Sequence, residues 1–359
     1  MDFRLLFKIS AAAKASDLHL VFGLKPMLRL DGQLFDINET IEDSSYLAAY
    51  RGTSFSDLTD KDLSLALDLF LSKEQKAALL KNRELDCGFN IDETRFRVNV
   101  SFASDHLRVV ARVINSHQPT LEEVGFSEEI KKILDKKQGL ILVVGPTGSG
   151  KSTTLAAMIN YLNENYRYNI VTFEDPIEFL FTPKKSIISQ RQYGNDFLSF
   201  PEGLSHVLRQ DPNIIMIGEM RDLETIASAI TIAETGHLVL ATLHTANSAQ
   251  SIDRMIDIFP AHQQNQIKSQ LSNVLSAVIA QHLLPRIDGG RIAAREIMVN
   301  NAAVANLIRE DKVAQLKNVI ETSSSEGMVC LDHDVKRLYS EGLVTKETAL
   351  EYLENNKDI

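Results

Sequence analysis

The chain has 359 residues, enough for roughly two domains, and its 44% hydrophobic and 24% charged content is that of an ordinary folded protein. A formal charge of −10 with no tryptophan argues against broad nucleic-acid binding, which needs basic surface to displace counterions, although net charge leaves room for a local basic channel. No apolar run approaches the ~20 residues that span a bilayer, and Met1-Asp2-Phe3-Arg4 turns acidic too soon for a signal peptide, so a cytoplasmic chain that meets membranes only through a partner is expected.

Residues 1–114 read as an α+β domain. Residues 3–15 place Leu6, Phe7 and Ala11 on one helical face, and Asp17-Leu18-His19-Leu20-Val21-Phe22 switches to strand character. Pro26-Met27-Leu28-Arg29-Leu30 and Gln33-Leu34-Phe35 flank Asp31-Gly32, a pair suited to a type I′ hairpin turn. Residues 62–81 read as one amphipathic helix carrying Leu65, Leu69, Leu79 and Leu80. Three strands follow, Asp86-Cys87-Gly88-Phe89-Asn90-Ile91, Arg95-Phe96-Arg97-Val98-Asn99-Val100 and Leu107-Arg108-Val109-Val110-Ala111-Arg112-Val113-Ile114. If the last two pair, they gather Arg95, Arg97, Arg108 and Arg112. Arginine alternating with apolar residues is also how the solvated face of an antiparallel sheet reads, so spacing alone leaves their role open. Cys87 and Cys330 lie far apart with no CxxC pair, which indicates structural thiols and neither a zinc site nor a disulfide framework. Residues 115–120 have linker composition.

From residue 121 to 359 strands and helices alternate, as in a P-loop ATPase core. The buried run Leu140-Ile141-Leu142-Val143-Val144 leads into Gly145-Pro146-Thr147-Gly148-Ser149-Gly150-Lys151-Ser152-Thr153 and then a helix, the context a P-loop requires. Its glycines let backbone N–H groups turn towards nucleotide phosphates, Lys151 reaches the β- and γ-phosphates, and the Ser152 hydroxyl takes a place on Mg²⁺. Asn169-Ile170-Val171-Thr172-Phe173 ends on Glu174-Asp175-Pro176, Ile214-Ile215-Met216-Ile217 on Gly218-Glu219-Met220-Arg221-Asp222, and His237-Leu238-Val239-Leu240-Ala241-Thr242-Leu243 on His244. Ligands of open parallel sheets sit at the carboxyl ends of strands, and Glu219 stands where a Walker B acid meets hydrated Mg²⁺. Any one of these endings also fits a helix N-cap; their recurrence around one P-loop favours a single site. Beyond them Leu271, Val274, Leu275, Val278 and Ile279 make a helical stripe, and the remainder reads as helical, with one or two helices over residues 331–355 interrupted at Gly342.

Together, the P-loop, the box Ile170 to Glu178, Leu208-Arg209-Gln210-Asp211-Pro212-Asn213 with Gly218-Glu219-Met220-Arg221-Asp222, and Ala233-Glu234-Thr235-Gly236-His237 with Thr242-Leu243-His244-Thr245 resemble the Walker A, Asp, Walker B and His boxes of the type II/IV secretion ATPase superfamily. Within it the chain is most similar to the type IV pilus retraction ATPases, from Ala15-Ser16-Asp17-Leu18-His19-Leu20 to Asn306-Leu307-Ile308-Arg309-Glu310. The resemblance implies an α/β fold with an N-terminal α+β PAS-like domain (1–114), a linker (115–120) and a RecA-like P-loop ATPase domain with C-terminal helices (121–359). It implies a homohexamer, peripheral at the inner membrane, that docks on a pilus platform protein, reaches the pilus base indirectly and uses ATP and Mg²⁺ to drive pilin removal. It further implies that Gly145, Thr147, Gly148, Ser149, Gly150, Lys151, Ser152 and Thr153 hold the nucleotide. Glu174 would activate water, Glu219 would join the Mg²⁺ shell, His237 and His244 would lie near the γ-phosphate or at a moving interface, and Arg97 and Arg112 would complete a neighbouring subunit's site.

Four departures from the family pattern stand out. Asp105 replaces a basic residue in the hairpin between Asn99 and Arg112. Residues 44–60 are longer than usual, as for a surface loop. Ala305 replaces an arginine tied in the family to retraction rather than hydrolysis, and Ala241 replaces a glycine before Thr242. Within the superfamily the alternative is an accessory pilus or secretion ATPase driving assembly or export, which usually carries an additional N-terminal domain and often a tetracysteine zinc site. From another class, the alternative is an ATP-binding scaffold without useful turnover, against which Lys151, Glu174 and Glu219 stand. A nucleic-acid translocase is the least favoured reading on charge.

Overall fold

The computed structural model describes residues 1–353 apart from 31, 93, 115, 116 and 127. The first hairpin-turn residue, the first two linker residues and the end of the last expected helix therefore lie outside the described residues. The chain forms two compact units, Met1–His117 with Pro176–Leu180, and Gln118–Asp175 with Phe181–Ile359.

The first unit is a six-stranded antiparallel sheet with strand order β3-β2-β1-β6-β5-β4, made of β1 (Asp17–Val21), β2 (Met27–Leu30), β3 (Gln33–Asp36), β4 (Glu84–Ile91), β5 (Thr94–Ala103) and β6 (His106–Ile114). Its helices are α1 (Phe3–Ala12), α2 (Ile37–Asp43), α3 (Asp60–Phe70) and α4 (Lys73–Asn82). Leu6, Phe7 and Ile9 from α1 and Leu63, Ala66 and Leu67 from α3 share one core with the inward residues Phe96, Val98 and Val100 of β5 and Val109 and Ala111 of β6. Phe7 stands edge-on to Phe89 and Phe96, with centroids 4.8 and 4.9 Å away. Cys87 is buried in this core, which pushes its thiol up to about 12.

Two expectations for this unit need correction. The single helix over residues 62–81 is two, because Ser72 accepts from Gln75 N while the Gln75 side chain accepts from Ser72 N, a capping box that restarts the chain as α4. The break also shifts the buried face: Leu63 is fully buried, whereas Leu65 is 47% exposed and Leu80 lies outside as well. Residues 44–60 are more than a surface loop, since Ser45–Tyr50 forms a 3₁₀ turn and Leu47, Phe55 and Leu58 enter the core.

The second unit holds a seven-stranded sheet: β7 (Gly139–Val144), β8 (Asn169–Glu174), β9 (Ile187–Gln192), β10 (Ile214–Ile217), β11 (Leu238–Leu243), β12 (Leu275–Pro285) and β13 (Arg291–Val299), in the order β13-β12-β7-β11-β10-β8-β9. All pairings are parallel except β12 with β13. Every residue of β7, β10 and β11 is buried, as expected of parallel strands covered on both faces. Its helices are α5 (Glu128–Leu134), α6 (Lys151–Asn165), α7 (Phe200–Val207), α8 (Leu223–Glu234), α9 (Ser248–Asp257), α10 (Ala261–Val274), α11 (Ala302–Arg309), α12 (Leu316–Thr322), α13 (Leu331–Ser340) and α14 (Lys346–Tyr352). None of the described helices is long and apolar enough to cross a membrane.

The helical stripe expected from Leu271 to Ile279 is overturned. Leu271 and Val274 close α10, and Leu275, Val278 and Ile279 belong to β12, which continues the sheet beside β7. A continuous apolar run satisfies helix spacing and a doubly buried strand equally well, and here the open edge of β7 selects the strand. The last two helices pack on this hairpin, with Val335, Leu338, Val344 and Ala349 against Leu284 and Ala294.

The burial pattern of α3 yields a direct test. Leu63→Ala should cost about 2–5 kcal/mol of stability in denaturant unfolding, and Leu65→Ala no more than about 0.5 kcal/mol; equal losses would contradict the placement of α3.

Candidate active site

Because β7, β11, β10 and β8 are adjacent and parallel, their carboxyl ends share one edge of the sheet. The P-loop leaves β7, His244 follows β11, Glu219 follows β10, and Glu174 ends β8. The loop then opens α6, whose N-cap is Gly150 at φ 87°. Glycine has no side chain to cap the first-turn N–H groups, so these donors and the helix dipole are presented to an anion. Gly145, at φ 147°, passes so near β12 that a Cβ there would lie 2.4 Å from the Gln281 carbonyl oxygen.

Lys151 is 8% exposed, and its Nζ donates to the Gly145 and Pro146 carbonyls at 2.8 and 3.0 Å. The ammonium is thus folded back over the loop it follows. Ser149 is buried with its Oγ unbonded within the protein, whereas Thr147, Gly148 and Ser152 are exposed and Thr153 is half-buried. Buried Glu174 accepts at Oε1 from Thr172 Oγ1 (2.6 Å) and Gln190 Nε2 (3.1 Å), so two neighbours orient the carboxylate. Glu219 pairs with Arg221 at 2.7 Å and lies 3.7 Å from His244 Nε2. Asp222 has a separate task, capping α8 through Thr225 N and Oγ1, both at 2.8 Å. Asp175, Glu219 and Arg221 line one cavity of about 400 Å³. Thr242 Oγ1 donates to the Gly218 carbonyl at 2.5 Å and Gly218 N to that of Phe173 at 2.7 Å, tying the ends of β11, β10 and β8 together.

Burial, and then the charge of Lys151, hold the His244 imidazole below its ordinary 6.5, against the pull of the Glu219 carboxylate. The ring is therefore neutral at pH 7. The other histidine expected at the site is not brought to it. His237 precedes β11, its carbonyl accepts from Gly139 N at the amino end of β7, and its Nδ1 lies 3.1 Å from Thr235 Oγ1. The six residues of β11, ~20 Å of strand, separate it from His244 and from the sheet edge where the P-loop departs.

The family model described as type II/IV secretion system protein matches residues 81–314. The chain belongs to this family. It is 45% identical over 98% of its length to the type IV pilus retractation ATPase PilT of Pseudomonas aeruginosa, 98% of which is covered. It is 41% identical to a twitching motility protein of Neisseria gonorrhoeae, over 93% of this chain and 86% of that one. A crystal structure of the pilus retraction motor PilT with bound ADP superposes with a TM-score of 0.89 at 37% identity, covering 100% of this chain and 99% of the other. The fold is accordingly that of the family, an N-terminal α+β unit and a RecA-like nucleotide-binding unit.

In the first unit Arg97 and Arg112 face each other across β5 and β6, and Arg112 faces Asp17 across β6 and β1. Arg112 Nε donates to Asp17 Oδ1 at 3.0 Å, and Ser16 Oγ to Asp17 Oδ2 at 2.8 Å. Asp17 is only 6% exposed, which departs from a plain solvated face. Asp105 sits at the β5–β6 turn at φ 64° and pairs with Arg83 at 3.1 Å. Ala241 is fully buried in β11, where the strand passes without a glycine. The sequence reading missed Gln281 on β12, whose side chain bonds both the P-loop and α6; no local motif marks it.

His244 offers a check on the electrostatics. Its folded value lies below the unfolded one, so the unfolded chain binds more protons near pH 6 and stability falls as pH drops through 6.5. NMR titration of the ring should give a midpoint below 6.5, moving upward in Lys151→Met; an unmoved midpoint would remove Lys151 from the cause.

Proposed function

We propose that the chain is an ATPase motor that hydrolyses ATP to power type IV pilus retraction as a cytoplasmic homohexamer, docked on the inner-membrane platform protein. The observation that carries this reading is the set of groups on one sheet edge: an uncapped helix N-terminus with a folded-back lysine, an oriented buried carboxylate, and a second carboxylate held by Arg221 and near His244. The N-terminal domain spans 1–114 and the ATPase domain 121–359.

The loop amides and Lys151 hold the β- and γ-phosphates, with Gly145, Thr147, Gly148, Ser149, Gly150 and Thr153 shaping the cradle. Glu174, fixed by Thr172 and Gln190, accepts a proton from the attacking water and orients it in line with the γ-phosphorus. Neutral His244 lies within reach of the Glu219 carboxylate and reports a change there. A hydroxyl and a carboxylate are donors suited to a hard cation, so Ser152 and Glu219 are the residues that would hold Mg²⁺, which supplies neutralisation of charge on the phosphate oxygens. Arg97 and Arg112 complete the site of a neighbouring copy. An arginine delivered to the transition state is worth ~10³–10⁵ in rate, or about 4–7 kcal/mol, so an isolated copy is nearly inactive. His237, remote from its own chain's phosphates, serves at the interface between copies.

Steady-state ATPase activity against protein concentration, with light scattering in parallel, tests this. Turnover should rise with assembly, disappear in Glu174→Gln, and fall at least ~10³-fold in Arg112→Ala with assembly intact. Assemblies that bind ATP without Glu174-dependent turnover would replace the motor with a scaffold.

A further inference from the structure

β12 pairs with β7 as far as Ala280 beside Val144, so Gln281 is the first residue beyond the point where the P-loop departs. The residue is 1% exposed. Nε2 donates to the Ser149 carbonyl at 2.6 Å, and Oε1 accepts from Thr154 Oγ1 at 2.8 Å. The polarity is forced, because a carbonyl oxygen accepts only and must meet the amide nitrogen. The two bonds reach 132 and 127 residues back in sequence and bracket Gly150, Lys151, Ser152 and Thr153 between them.

We propose that Gln281 is a positioning residue for the nucleotide phosphates, acting by clamping the loop side and the helix side of the P-loop to β12. This rests on the nucleotide reading of the site. The peptide joining Ser149 to Gly150 is planar and trans, so its carbonyl and its N–H point in opposite directions. Fastening the carbonyl to Gln281 turns the Gly150 N–H away from β12, the direction a phosphate-holding amide needs. On the helix side, Thr154 N donates to the Gly150 carbonyl at 3.0 Å while its hydroxyl, which in a helix commonly returns to the fourth preceding carbonyl, goes to Gln281 instead. The close packing leaves little freedom besides these bonds: a Cβ on Gly150 would lie 3.2 Å from Gln281 Nε2, and one on Gly145 would strike the Gln281 backbone. Leucine or methionine would fill the same space, yet leave the Ser149 carbonyl buried without a donor and the loop peptide free to rotate.

The test uses the full chain, equilibrium binding of fluorescent ADP, and ATP turnover. Gln281→Met should weaken ADP binding and raise KM for ATP by about tenfold or more, with a smaller fall in kcat, because the cradle holds the phosphates of both nucleotides. Thr154→Val should weaken ADP binding by roughly threefold to tenfold, and Thr154→Ser should restore it. The double variant should be no worse than Gln281→Met, since Thr154 acts through Gln281; losses that add, or unchanged ADP affinity in Gln281→Met, would overturn the proposal. Should Gln281→Met fail to fold, the Thr154 pair decides, and equal affinities of Thr154→Val and Thr154→Ser would count against the clamp. A wild type that binds ADP but does not hydrolyse ATP would sink the motor reading alone, because the ADP measurements still judge the clamp.

Discussion

The first N–H groups of α6 have no intrahelical acceptor, and the residue that should cap them is a glycine in the left-handed region. Six other helices spend a side chain on this need: Asp2, Thr59, Ser72, Ser199, Asp222 and Asn301 each accept from the helix they open. Unlike these six, α6 both sits at the carboxyl edge of a parallel sheet and carries a lysine in its first turn. The donors left over define where an anion belongs, and the neighbouring strand ends decide what can be done to it. The ties between Thr242, Gly218 and Phe173 keep those ends in register, so the carboxylates of Glu174 and Glu219 hold fixed places along the edge.

Charge at this edge is divided rather than pooled. Glu174 is buried and accepts from Thr172 and Gln190, Glu219 is shared between Arg221 and His244, and Asp222 is consumed as a cap. In the first unit the same economy appears as a ladder across β2, β1, β6 and β5, in which Arg29, Asp17, Arg112 and Arg97 occupy facing positions. The buried Asp17 carboxylate lies between two cations, Arg29 and Arg112, and the hydroxyl of Ser16 adds a bond to it.

What was legible in the sequence was local. The P-loop could be read because its strand, loop and helix are contiguous, and β8, β10 and β11 because each is a short apolar run ending on a polar group. β9 escaped because Ser189, Gln190 and Arg191 interrupt its apolar residues; it is the edge strand beside β8. β12 was mistaken for helix because its neighbours, not its spacing, make it a strand. The break between α3 and α4 hung on a reciprocal cap at Ser72 and Gln75 inside an otherwise helical pattern. Gln281 carries no signal at all in a single sequence, since its meaning lies in contacts more than a hundred residues away. His237 and His244 look equivalent as ends of one strand; the direction of β11 distinguishes them.

The burial of both cysteines has a practical side. Cys87 and Cys330 are 3% and 7% exposed, and the two thiols are pushed above their usual range, Cys87 to about 12. Burial thus keeps the thiolate, the form that alkylating reagents attack, scarce at neutral pH. The native chain is therefore already a quiet background for thiol labelling. A single cysteine introduced on an exposed strand or loop would carry a fluorophore or spin label selectively, and movement could be followed without first stripping out the natural thiols and disturbing the cores that enclose them.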